Sequence, residues 1–163
     1  MTVEVYERAK IGMGTGEHHW NPDSRETADH SIPYVVAAAL IDERLTPASF
    51  AHERLWSREL RMLLPKIEVV ANPEFTAAYE RVPVEHRTRV TVVLGNGEHV
   101  TEYAGGEAGD LSQSRSDAEI EEKFRALTHD ALTRQGADAA PMMLCRPDAM
   151  PDVAAIPELF RFA

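Results

Sequence analysis

The stretch RETADHSIPYVVAAALI, Arg25–Ile41, decides how this chain is to be read. Its second half continues into DERL and is apolar nearly all round a helical period, which predicts a helix buried in a core rather than one lying on a surface. Pro33 is tolerable only in the first turn of that helix, where its missing N–H would have had no partner anyway. The start therefore falls near Asp29 to Ile32, with Asp29 or Ser31 as the cap. The first half of the stretch crowds Glu26, Asp29, His30, Thr27 and Ser31 against the mouth of this apolar rod, with Tyr34 just inside it.

Working outward, TVEVYERA alternates apolar and acidic residues and suits a half-buried strand. The next segment, KIGMGTGEHHWNPDS, reads as a loop from its Gly, Asn, Asp and Pro content, and its glycines do not have a nucleotide-binding spacing. Beyond the buried helix, TPASFAHERLWSRELRMLL carries Leu55, Trp56, Leu60, Leu63 and Leu64 at helical spacing, with Thr46 or Ser49 as cap and Trp56 as a core anchor. KIEVVANPEF supplies a strand, and RVTVVLGNGEHVTEYA a hairpin turning through GNG. In SDAEIEEKFRALTHDALTRQG, Ser116 and Glu119 form a capping box. Ile120, Phe124, Leu127 and Leu132 make the expected stripe, and Gly136 the expected stop. VAAIPELFRF is a last short helical piece. This order predicts an α+β fold, a small antiparallel sheet of three to four strands covered by helices on one face.

The 163 residues carry a formal net charge of -10, with no basic stripe, which opposes binding to nucleic acid. No apolar run reaches the roughly 18 to 20 residues that span a bilayer, and the N-terminus lacks the pattern of a signal peptide, so no membrane association and a cytoplasmic location are expected. The single Cys145 sits among apolar residues, and adjacent His18 and His19 have no evident third ligand; neither a metal nor another cofactor is expected. His52, His86, His99 and His129 are assigned no role.

Two readings of the Arg25–Tyr34 segment remain open. In one, His30 and Tyr34 converge at the helix tip, where the field of the free N–H groups attracts a carboxylate and lowers the tyrosine pKa, so that the pair moves protons beside a bound acid. In the other, Asp29 and His30 cap the helix, and Tyr34 buries its ring and bonds through its hydroxyl.

WNPDSRETADHSIPYVVAAALIDERLTPASF closely resembles the stretch around the RETADHS-(Leu/Ile)-P-Y motif of the MmgE/PrpD family, and VTVVLGNGEHV, SDAEIEEKFRALT and MPDVAAIPELF are similar to the blocks that follow it, in the same order. The family includes 2-methylcitrate dehydratase, cis-aconitate decarboxylase and iminodisuccinate epimerase. Its members pair a large helical domain with a smaller α+β lid, and the active site lies between them. The resemblance implies that this chain is the C-terminal portion: a lid-like domain over residues 1–135 and a helical extension over 136–163. It further implies metal-independent proton abstraction beside a carboxylate and loss of water from a methylcitrate-like acid. Tyr34 matches a family tyrosine facing the cleft and His30 lies in the same motif. Both become the expected acid/base or carboxylate-positioning groups, with Ser31 as a substrate-binding neighbour. Arg25 is either a carboxylate clamp or an ion-pair partner of Glu26 or Asp29. Where the family usually has Asp-Gly after the buried helix, this chain has Asp42-Glu43. The expected partner is a helical domain of the family's N-terminal type; the rival expectation is a non-catalytic lid-fold module that self-associates.

Overall fold

The computed structural model describes residues 1–105 and 116–160. Two compact units divide the chain between Gln113 and Ser114, so the division expected at residue 135 falls inside the second unit.

In the first unit, β1 (Thr2–Val5) is followed by α1 (Glu7–Met13), α2 (Glu17–Trp20), α3 (Arg25–Asp29) and α4 (Ile32–Asp42). Next come α5 (His52–Leu55) and α6 (Arg58–Leu63), each flanked by a short 3₁₀ turn, and then β2 (Glu68–Ala71), α7 (Pro73–Glu80), β3 (Arg87–Val93) and β4 (His99–Gly105). The strands lie in the order β2-β1-β3-β4. The α+β class holds, but the sheet is mixed: β3 runs antiparallel to β1 and to β4, whereas β1 and β2 are parallel, Val3 lying opposite Val69. The correction follows from the connection. Six helices separate β1 from β2, and a crossover of that length delivers the chain back in the direction it left.

Val3, Val5 and Val69 point into one face and meet α4, whose Tyr34, Ala37 and Ala38 are fully buried, together with Leu55, Leu60 and Leu64. Alternation along the strands puts Glu4 and Arg89 on the opposite face, where their side chains form an ion pair. Phe75 of α7 packs there against Tyr103, ring centroids 5.8 Å apart.

Ser31 caps α4 by accepting the Tyr34 N–H at 3.1 Å, and Pro33 occupies the first turn, as expected. The segment expected to be a loop instead forms α1 and α2. Its glycine at position 14 has a packing reason, because a Cβ there would stand 2.7 Å from the Val69 side chain. Trp56 is 52% exposed rather than a core anchor. The chain breaks at Ser57, and the Arg61 guanidinium lies 4.4 Å from the centre of the Trp56 ring.

In the second unit, α8 (Asp117–Thr128) begins with the expected box of Ser116 and Glu119. It ends at Thr128, and Gly136 lies inside α9 (Arg134–Leu144), whose first turn Thr133 caps. Of the stripe expected on one helix, Leu132 is buried beyond the end of α8, whereas Ile120 and Leu127 are exposed. A short α10 (Ile156–Leu159) follows, its flanking Phe160 edge-on to Phe124.

Candidate functional site

Two consecutive caps build the site. Ser24 opens α3 with a capping box in which Thr27 is the reciprocal partner. His30 closes that helix, and Ser31 opens α4 directly afterwards. The chain therefore turns sharply at His30, and the imidazole is thrown outward, its side chain 69% exposed. Its Nδ1 stands 2.6 Å from Oδ1 of Asp29 and 3.0 Å from the carbonyl oxygen of Glu26. Both partners can only accept, so Nδ1 carries the hydrogen, and Nε2 is left as the basic nitrogen of the neutral ring. The Glu26 carbonyl, and after it the Asp29 carboxylate, hold the His30 pKa above its ordinary 6.5.

This pair opens onto a cavity of about 350 Å³ between the sheet, α1 and the start of α4. The floor is apolar, formed by Val3, Val5, Ala9, Val35 and Val36. Asp29, His30 and Ser31 line one side, and Tyr6, His86 and Thr88 also contribute. Such a cavity can hold the hydrocarbon part of a small molecule while an imidazole with a carboxylate behind it exchanges a proton at its edge.

The other expected site residues go elsewhere. Tyr34 is fully buried and does not line the cavity; its hydroxyl donates to the carbonyl oxygen of Ser49 at 2.7 Å, and its ring sits beside Phe50. The second of the two open readings is the one the structure adopts for this residue. The lowered pKa expected from the helix field is reversed, because burial pushes the phenol up. Ser31 lines the cavity, but its hydroxyl is occupied twice, donating to the His19 carbonyl and accepting from Tyr34 N–H. Arg25 stands exposed on α3 and makes no ion pair among the described residues; Asp29 is paired with His30 instead. The His18 and His19 rings lie 3.9 Å apart, tilted by 47°, with the His19 Nδ1 turned to the Thr15 carbonyl. Among the described residues no group of three or more His, Cys, Asp or Glu side chains is placed to hold a metal, and no helix is long and apolar enough to cross a membrane.

His86 and Tyr6 were not assigned to the site from the sequence. A signal existed in the strand period: Val90 and Thr88 face the same side as Val3, and stepping back two more residues reaches His86.

The model of the MmgE/PrpD C-terminal domain matches residues 1–143. The chain belongs to the MmgE/PrpD family. Similar proteins include the cis-aconitate decarboxylase of Mus musculus, 24% identical over 140 residues, which cover 86% of this chain and 28% of that protein. The cis-aconitate decarboxylase of Homo sapiens is 30% identical over 105 residues, 64% of this chain and 21% of that protein. The 2-methylcitrate dehydratase of Salmonella typhi is 35% identical over 123 residues, 71% of this chain and 24% of that protein. This MmgE/PrpD domain thus spans about a quarter of the length of the curated relatives it matches.

Proposed function

We propose that this chain is the lid-bearing part of a MmgE/PrpD-type lyase that abstracts a proton beside a carboxylate of a 2-methylcitrate-like di- or tricarboxylate and expels water. The observation that carries the reading is the His30–Asp29 pair opening onto an apolar-floored cavity within a chain of this family. His30 Nε2 is the proton acceptor. Asp29 fixes the tautomer and stabilises the imidazolium as it forms, the role a carboxylate plays behind a histidine base. Tyr34 supports the site from beneath, as part of the core of α4, and takes no proton.

Among the described residues that line the cavity none is Lys or Arg, so its only basic groups there are imidazoles, and the chain as a whole is acidic. A helical domain of the family's other type, in the same polypeptide or in a partner, supplies the remaining charge and the opposite wall. The test is exchange of the substrate's carbon-bound proton with deuterium oxide, followed by NMR in the assembled enzyme. His30→Ala should slow exchange by about a hundredfold or more, the range of a lost general base. Unaltered exchange in a folded His30→Ala protein overturns the assignment.

A further inference from the structure

We propose that His86 is a second ligand-contacting residue of this cavity, donating a ring N–H to a carboxylate oxygen of the bound acid while His30 works at the reacting carbon. The inference rests on the functional reading above and adds the group that holds the anion.

Three observations converge on His86. It lines the same cavity as the His30–Asp29 pair, although it comes from a different element, the residue before β3. Its ring is oriented by packing rather than by hydrogen bonds. Tyr6 and Tyr79 are stacked nearly parallel, centroids 4.1 Å apart, and the imidazole stands across both at 5.6 and 5.5 Å, inclined by 71° and 74°. Neither ring nitrogen has a hydrogen-bond partner among the described residues, so this exposed imidazole packs across two phenol rings with both nitrogens available.

The backbone at this position is fixed as well. The preceding residue, Glu85, is buried; its carboxylate takes ion pairs from Arg81 and Arg87, and its N–H donates to the Ala78 carbonyl at 3.2 Å. From the other side Gly105 of β4 approaches so closely that a Cβ there would lie 1.7 Å from the His86 carbonyl oxygen. Only a residue without a side chain fits that approach. The fold thus confines the backbone of His86 and packs its ring, yet leaves its polar atoms unspent, which is the arrangement a preorganised hydrogen-bond donor requires.

The experiment titrates citrate into the assembled enzyme, this chain together with its helical domain, and follows the ring signals of histidines labelled in this chain by NMR near pH 6, with trimethyl citrate as the uncharged control. His30 and His86 should shift together and saturate together, His99 and His129 should stay in place, and the ester should move nothing. His86→Ala should weaken citrate binding by about tenfold, the loss of a hydrogen bond to a charged group, and His86→Gln, which keeps an N–H donor, should retain most of it. If citrate moves His30 but not His86, or if both His86 variants bind as the parent does, the inference fails and the role of His30 stands. If citrate moves neither ring, the cavity is not a carboxylate site and both proposals fall.

Discussion

At the scale of single residues, Tyr34 and His30 have exchanged the importance that their types suggest. A tyrosine near a helix tip invites a chemical role, but this phenol spends its one donor on Ser49 and lies behind the wall of the cavity. Tyr34→Phe should therefore cost stability, about 0.5–1.5 kcal/mol for one buried hydrogen bond and somewhat more because the Ser49 carbonyl loses its donor. Urea denaturation should show that loss, with citrate affinity unchanged; lost affinity in a folded variant would restore a direct role. His30 is poised the opposite way, exposed and backed by acceptors. Asp29→Asn should bring its pKa down toward the ordinary 6.5 without reaching it, since the Glu26 carbonyl remains the larger influence. A histidine NMR titration measures this directly, and an unmoved or raised value would dissolve the pair. Because the folded-state value is raised, the fold is favoured by His30 protonation below pH 6.5, and that increment disappears as pH rises through the folded value.

At the scale of elements, the caps and the buried helix were legible because they are local. Ser31, Pro33 and the apolar run from Val35 to Leu40 state where α4 starts and that it is buried, and Ser116 with Glu119 state where α8 starts. What escaped depended on distant contacts. The Gly-rich segment became helical because α1 closes over β2 through Gly14, and the helix carrying Trp56 broke at Ser57, neither of which a local pattern encodes. The direction of β2 is likewise a product of the crossover, and His86 reaches the cavity that His30 lines because β3 pairs with β1. One residue has a clear conformational cost. Glu43, at a position where glycine would carry no such penalty, closes α4 with φ of 61°, a left-handed conformation that a side chain disfavours by about 1–2 kcal/mol. Glu43→Gly should raise stability by about 1 kcal/mol after the larger chain entropy of glycine is subtracted, visible as a higher urea midpoint. A lower midpoint would mean that the Glu43 side chain has a stabilising contact.

At the scale of the whole molecule, acid stability depends on carboxylates tied to arginines across the first unit. Hydrogen bonds from Arg81 and then Arg87 hold Glu85 below the ordinary 4.5, and Arg89 does the same for Glu4. Groups with depressed folded-state values stabilise fully above the unfolded value and lose that contribution as pH falls through the folded one. Urea midpoints should therefore hold above about pH 5 and fall steadily below 4.5, and Glu85→Gln should flatten the fall; an equally steep decline in that variant would place the acid sensitivity elsewhere. The position of β1 has a different kind of consequence. Of the four described strands, Thr2–Val5 comes first in the chain but occupies the middle of the sheet, bonded to Glu68–Ala71 on one flank and to β3 on the other. Until those later stretches are translated, β1 has neither neighbour, so closure of this sheet must wait for β3, and a nascent protein stalled between β1 and Arg87 would display the apolar side of an unpaired strand for chaperones to grip.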